Sequence, residues 1–387
     1  MTPFVSLNSW THPGQVYQAS DPVDILRGGI QDWGILSETL QRYQKQSADT
    51  PHPLGGLVGS ISYEGDFCFG VFPEIHSSFH EQQTERWRER ARAHEALTMM
   101  GALRSSCGES EFCRRVEKAQ EYIRSGDIYQ VNLSHRFQAP WSGNPYTLFE
   151  ALMQRSPAPG SAFLDFGEQK ILSSSPELFL KIQGRHIVTR PIKGTRPRDR
   201  DPIRDGQLAY ELIADPKELA ELIMITDLER NDLGQICDYG SVQVTDLIKL
   251  EKYPQVYHLV STVEGDLRPE IDVVEAVKAC FPGGSITGAP KKRAREIIQE
   301  LEGLDRGIYT GAIGYFAFNG DVSLSMAIRT MFVESESVHF HVGSGITIDS
   351  VPEREYQETL HKASGMKWAL EMHAAHSSIL KHEVGGA

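Results

Sequence analysis

One primary amine set among three guanidinium groups carries the clearest chemical potential in this chain. It is Lys193, in Arg190-Pro191-Ile192-Lys193-Gly194-Thr195-Arg196-Pro197-Arg198. Neighbouring positive charge favours the neutral form of a lysine, and a neutral amine is a nucleophile or a base. Gly194 and two prolines mark a turn. The stretch therefore predicts an activated amine if Lys193 lines a pocket, and only a basic loop if it lies on the surface. Two pairs of glutamates follow. Glu218 and Glu221 come after Asp215-Pro216, and Glu355 and Glu358 after Pro352. Residues at i and i+3 share a helix face, and two such faces brought together would present an all-oxygen set suited to Mg²⁺. Taken singly, the same step is the ordinary solvated face of a helix. Glu358 and His361 also make the Glu-x-x-His step of di-iron bundles, which need two such steps on long bundled helices; a strand-rich chain offering one does not meet that need.

Several other groups could complete a site. Pro282-Gly283-Gly284-Ser285-Ile286-Thr287-Gly288-Ala289-Pro290-Lys291 is a Gly-rich loop entering a helix. Ala289-Pro290 stands where a nucleotide-binding P-loop needs its lysine and hydroxyl, so that reading is rejected. Exposed amides at a helix start still suit a carboxylate, and an ordinary Gly/Pro turn is the equal alternative. Gly343-Ser344-Gly345 follows a strand and would let backbone amides approach a ligand closely, or mark a bulge. Arg329, in a strand ending Ala327-Ile328-Arg329-Thr330, is a bidentate carboxylate clamp or, by alternation, a solvent-facing side chain. Glu177, after Ser173-Ser174-Ser175-Pro176, is a general acid if partly buried. His258 lies in an apolar strand and by itself reads as a satisfied core histidine.

These groups need elements to hold them. Asp215-Pro216 is an acidic cap with proline at the first helical position, and the helix it starts runs to about Asp232, ending near Gly234. Further helices are predicted over Phe112–Ser125, after Pro145, over Ile271–Cys280, over Pro290–Leu301 and after Pro352. Strands are predicted over Leu54–Tyr63, Ile128–Phe137, Ala162–Phe166, Leu178–Ile182, Ser241–Leu250 and Val256–Glu264. Three consecutive antiparallel strands follow, over Gly307–Phe318, Asp321–Val333 and Ser337–Val342. The polar run His76–Ala96 reads as an exposed helix or connector. Many strands with interspersed helices and no βαβ rhythm predict an α+β fold, a layered α/β sandwich, rather than a Rossmann fold or a TIM barrel.

Composition sets the limits. The chain has 387 residues, 40% of them hydrophobic, enough for one large core or two ordinary ones. A net charge of -13 argues against a nucleic-acid surface, while local cations can still hold a small anion. No apolar run reaches the roughly 18 to 20 residues that span a bilayer, and Met1–Trp10 does not read as a signal peptide. Five scattered cysteines predict free thiols in a reducing, cytoplasmic setting.

From Phe112 to the last helix the chain resembles the chorismate-utilising enzymes: anthranilate synthase component I, aminodeoxychorismate synthase component I, and the isochorismate and salicylate synthases. The resemblance rests on DIYQVNLS (Asp127–Ser134), SSSPE (Ser173–Glu177), RPIKGTRPR (Arg190–Arg198), KELAELIMITDLERNDLG (Lys217–Gly234), GGSITGAPK (Gly283–Lys291), GIYTGAIGY (Gly307–Tyr315) and GSGIT (Gly343–Thr347), in family order. It implies a sandwich of two antiparallel β-sheets flanked by helices, with the site between them. It also implies a division into a short N-terminal region over 1–111 that contributes strands, a chorismate-binding catalytic region over 112–376, and a C-terminal tail over 377–387.

Within that family the residue before Gly-Thr sorts the members. Anthranilate synthases typically read PIAGT; PIKGT, as here, is typical of aminodeoxychorismate synthases. The resemblance therefore implies that Lys193 attacks ring C2 of chorismate and that Glu177 assists departure of the C4 hydroxyl. Ammonia then adds at C4, giving 4-amino-4-deoxychorismate for 4-aminobenzoate and folate synthesis. Anthranilate synthase component I is the nearest rival, and a degenerate chorismate-binding scaffold the non-enzymatic one. Gln130 stands where isochorismate and salicylate synthases carry a lysine base, which speaks against water addition. The resemblance makes Glu221 and Glu358 Mg²⁺ ligands, with Glu218 and Glu355 supporting through water, the metal holding the ring carboxylate. It gives the enolpyruvyl carboxylate to Arg329, Tyr309 and the Gly343-Ser344-Gly345 segment, and completes the pocket with Gly194, Thr195, Thr287, His258 and Lys362. Met1–Leu54 holds no LLES-like motif of the kind through which many members bind tryptophan. No glutaminase segment is evident, so a separate glutamine amidotransferase subunit, or solution, is expected to supply ammonia.

Overall fold

A computed structural model describes residues 3–8, 10, 14–44, 54–79 and 99–384. Among them two antiparallel sheets form, of 11 and 10 strands. The first runs in the order Gly288–Ala289, Gln130–Ser142, Ser337–Ile346, Thr330–Glu334, Gln169–Ser175, Gly160–Asp165, Phe4–Asn8, Gln15–Ser20, His76–Phe79; two short strands, Met99–Met100 and Arg104–Ser105, also pair with Gln130–Ser142. The second runs Ile192–Pro197, Val256–Asp266, His186–Arg190, Leu178–Gln183, Val322–Met326, Ala312–Ala317, Gly56–Ile61, Phe67–Phe72, Asp24–Gly28, with Gln243–Lys252 on Val256–Asp266. This is the expected pair of flanked antiparallel sheets.

The layers follow from which faces are apolar. Between the sheets, Leu7, Tyr17, Val58, Leu164, Ile171, Ile313, Tyr315 and Phe332 form one buried cluster. Outside the first sheet, the helices Pro145–Arg155 and Pro352–Val384 pack Leu148, Phe149, Leu152, Met366 and Leu370 against Phe163 and Phe340. Beside them, Glu109–Arg124 and Lys291–Glu302 bury Phe112, Val116, Ile297 and Ile298 on Val131 and Leu133. Outside the second sheet, Leu233, Val274, Val277 and Phe281 cover Phe179, Leu180, Ile182 and Leu324. Each fully buried side chain of this size contributes about 1.5–3 kcal/mol, so every layer needs its neighbour.

Two expectations are corrected. The Asp321–Val333 run is not one strand: Val322–Met326 belongs to the second sheet and Thr330–Glu334 to the first, and the chain crosses between them at Ala327–Arg329. Arg329 sits at that crossing with φ of 50°, a left-handed conformation that a non-glycine residue adopts only when its surroundings impose it. The segment around Lys193 is not a loop: Ile192–Pro197 is a strand paired with Val256–Asp266, and the turn chemistry of Gly194 makes a bulge within it, at φ of +72°. The last helix runs over Pro352–Val384. Several N-terminal strands carry no sequence signal strong enough to predict them; the helix Pro202–Ile213 was missed although Asp201-Pro202 is the same acidic cap and proline that open the helix at Asp215. Of the polar run, His76–Phe79 is a strand and the rest lies outside the described residues. Among the described residues no helix is long and apolar enough to cross a membrane.

Candidate active site

The sandwich positions the candidate residues at one end, where the leading strands of both sheets meet the helices Pro216–Gly234 and Pro352–Val384. Asp215 caps the first of these helices by accepting from Lys217 N at 3.0 Å, and Pro216 opens it as expected. That turns Glu218 and Glu221 inward. The Gly194 bulge lies directly on them: a Cβ at Gly194 would come within 3.1 Å of Glu218 Oε2. Gly345 does the same from the other sheet, where a Cβ would meet Gln130 Nε2 at 2.4 Å and Glu221 Oε2 at 3.3 Å. Both glycines are places where backbone must approach a carboxylate closely.

Lys193 Nζ donates to Ser285 O at 3.0 Å. The three guanidinium groups around it in sequence are each engaged elsewhere. Arg190 pairs with Glu251; Arg196 with Asp215 at 2.9 Å and Glu218 at 3.4 Å; Arg198 with Asp205 at 2.8 Å. The cationic surroundings read from the sequence are thus neutralised in space, and Lys193 acts instead as a counter-charge to Glu177 and Glu221.

Glu177 is buried, and burial raises its pKa above the usual carboxylate range, against the hydrogen bond from Ser285, the Lys193 ammonium and the N–H of Ile192. A carboxyl held towards its protonated form is what a general acid requires. Arg329, at the crossing between sheets, bears electrostatically on both Glu177 and His258. His258 shares its Nδ1 with Thr195 Oγ1 at 2.9 Å and Gly194 O at 3.3 Å. Burial, seconded by Arg329, pulls its pKa down to about 3, so the ring is neutral, and its buried Nε2 has no partner among the described residues. A satisfied core histidine would not leave that nitrogen bare.

The glutamate pairs converge across the two helices. Lys217 Nζ lies between them, 2.7 Å from Glu355 Oε1 and 3.8 Å from Glu221 Oε1. Burial is the first cause that raises Glu218 and Glu221, and Glu358 raises both further. Glu358 itself is held down to about 2, chiefly by the Lys362 ammonium at 2.8 Å. Lys362 also donates to Gly343 O at 3.0 Å. Ser344 Oγ donates to Glu355, and Gln130 Nε2 to Glu221 Oε2 at 3.3 Å. Among the described residues no three His, Cys, Asp or Glu side chains stand close enough to enclose a cation as they are; ammonium groups lie between them. Tyr309 is buried, stacks on His341 at 5.1 Å, and stands against Gly343, whose Cβ would lie 2.9 Å from its hydroxyl. Thr287 turns its hydroxyl on the loop, to Gly283 O at 3.0 Å and Gly284 O at 3.2 Å, and so braces it.

Every candidate residue except Thr287, whose hydroxyl is turned on its own loop, is therefore linked by contact or by charge to this one network. Sequence reading missed Ser285, the partner of both Lys193 and Glu177, and Lys217. Ser285 lay in a noted loop without any signal of its own. Lys217 could have been read as an i, i+4 partner of Glu221.

Residues 73–367 match the model of the chorismate binding enzyme family, and the chain belongs to that family. It is 47% identical to anthranilate synthase component 1 3 of Haloarcula marismortui over 267 residues, 69% of this chain and 53% of that protein. It is 44% identical to aminodeoxychorismate synthase component 1 of Bacillus subtilis over 279 residues, 72% of this chain and 59% of that protein. The chain spans little more than half the length of these curated relatives. The crystal structure of anthranilate synthase component I from Streptococcus pneumoniae TIGR4 superposes with a TM-score of 0.75 at 30% identity, covering 94% of this chain and 89% of the other.

Proposed function

We propose that this chain is a component I enzyme that aminates chorismate, and that its product is 4-amino-4-deoxychorismate. The observation that carries the finer reading is Lys193: a primary amine held on Ser285 O, beside a buried carboxyl of raised pKa. In this reading Lys193 passes a proton to Glu177 and attacks C2 of chorismate. The C4 hydroxyl leaves as water with that proton as the ring π-electrons shift. Ammonia then adds at C4 and the C2–N bond breaks, returning Lys193 as the free amine. The balance is chorismate plus ammonia to 4-amino-4-deoxychorismate plus water. His258, neutral with a bare Nε2, can accept a hydrogen bond from a substrate hydroxyl. Arg329 and the amides around Gly343 and Gly345 suit a carboxylate.

Glu218, Glu221, Glu355 and Glu358 offer only carboxylate oxygens drawn from two helices, donors of the chemistry Mg²⁺ takes, and the charge of Glu358 bears on Glu218 and Glu221. When bound, the cation would hold and polarise the ring carboxylate of chorismate. Lys217 and Lys362 neutralise these oxygens in the form described. A glutamine amidotransferase subunit as ammonia source, and a cytoplasmic location, belong to the same proposal.

The second reading, anthranilate synthase, is favoured by the names of most of the relatives. One assay separates them: the purified chain with chorismate, Mg²⁺ and ammonium, products resolved by chromatography. 4-Amino-4-deoxychorismate as main product supports the first reading; anthranilate as main product replaces it with the second.

A further inference from the structure

Behind the loop that carries Ser285, the helix Pro216–Gly234 turns a second pair of acids inward. Glu229 is 3% exposed and Asp232 4%. Glu229 Oε1 accepts the N–H of Gly284 at 2.8 Å, and the fit is tight enough that a Cβ on Gly284 would meet that oxygen at 2.9 Å. Asp232 Oδ2 receives Lys291 Nζ at 2.5 Å, and the same ammonium donates to Cys280 O at 3.0 Å. The loop is thus tied at both ends to one helix, at its beginning through Gly284 and at its end through Lys291. Glu218, Glu221, Ile225, Glu229 and Asp232 follow the spacing of a single helix face. The element that presents the carboxylates to the site also clamps the loop beneath Lys193.

Nothing in the reaction proposed above uses Glu229. A buried carboxyl is costly, and an apolar side chain of the same volume would occupy the place more cheaply. Such a side chain could not accept the Gly284 N–H. Burial pushes the Glu229 carboxyl up to about 7, although the Lys291 ammonium draws it down. The turn it holds, Gly284–Ile286, offers Ser285 O to Lys193 and the Ser285 side chain to Glu177.

We propose that Glu229 is a positioning residue: by holding the Gly284 N–H it sets the turn from which Ser285 orients both Lys193 and Glu177. This rests on the reading of the site given above. The experiment compares the full chain with Glu229→Met and Glu229→Gln, following chorismate consumption with ammonium and Mg²⁺, which counts turnover whichever product forms, and thermal unfolding. Glu229→Met fills the volume and removes the acceptor; Glu229→Gln keeps an acceptor oxygen. The expected result is a kcat lowered at least about tenfold in Glu229→Met, with KM for chorismate within about threefold, and both constants within about threefold of wild type in Glu229→Gln. A Glu229→Met variant with undiminished kcat, a loss carried by KM alone, or a Glu229→Gln variant as slow as Glu229→Met would overturn the proposal. So would a Glu229→Met chain that fails to fold where Glu229→Gln folds, since the bond would then serve folding alone. A wild-type chain that consumes no chorismate sinks the functional reading as well; active wild type with indistinguishable variants sinks only this inference.

Discussion

Lys193 owes its setting to contacts rather than to its neighbours in sequence. With Arg190, Arg196 and Arg198 each on a carboxylate, the amine faces Ser285 O and the Glu177 and Glu221 charges. If it is the nucleophile, chorismate and Mg²⁺ without ammonia will leave an adduct on the chain, absent from Lys193→Gln, and intact-mass spectrometry reads it directly. Product forming with ammonia while no adduct ever appears would favour direct ammonia attack. Removing the acid in Glu177→Gln is expected to lower kcat roughly 10²–10⁴-fold with the fold kept, measured by steady-state kinetics. Glu229 gives a pH signature. Its folded value of about 7 lies above the ordinary 4.5, so the folded state favours the protonated form. That stability is full below about pH 4.5 and is lost as pH rises through 7. Thermal midpoints of wild type and Glu229→Gln are therefore expected to differ least at pH 4.5 and most near pH 8, with the Gln variant gaining at the higher pH.

At the scale of elements, the two helices bearing Glu218, Glu221, Glu355 and Glu358 repel one another unless cations lie between them. Lys217 does so, reaching Glu221 on its own helix and Glu355 on the other, while Lys362 pairs with Glu358 within the last helix. Removing one partner of such a set leaves buried charge uncompensated. Lys217→Met is therefore expected to lower the unfolding midpoint without Mg²⁺ and to regain more of it than wild type when Mg²⁺ is added, read by calorimetric scans with and without the ion. Equal Mg²⁺ responses would mean that Lys217 and the cation do not share these oxygens. Glu358→Gln is expected to abolish Mg²⁺-dependent turnover in a folded chain, and an undiminished Mg²⁺ dependence would remove it from the ligand set.

At the scale of the whole molecule, the site is an edge of the sandwich, so its geometry depends on how the sheets are stacked. Phe332, 1% exposed, sits between them and near the crossing that carries Arg329. Phe332→Ala is expected to destabilise the fold by about 3–5 kcal/mol in denaturant titration. Loss of chorismate affinity should accompany it, because Arg329 is placed by the same packing. Unchanged affinity in the destabilised variant would show that the crossing is held independently.

Local chemistry was legible in the sequence wherever a short-range rule governs it. Asp215-Pro216 announced a helix, the Glu spacing put each pair on one face of its helix without saying which way that face turns, and Gly343 and Gly345 allowed close backbone approach, because caps, helical period and missing side chains act within a few residues. What the sequence could not carry was every relation between distant segments. The strand break at Ala327–Arg329 looked like continuous strand because each half has strand composition, and only the stacking of two sheets decides that the chain must cross there. The neutralisation of three arginines, the bare Nε2 of His258 and the reach of Glu229 to Gly284 likewise arise from residues far apart in the chain. Their physical reason is common: charge and hydrogen bonding are settled by distance in space, and burial, which sets their strength, exists only once the layers have closed.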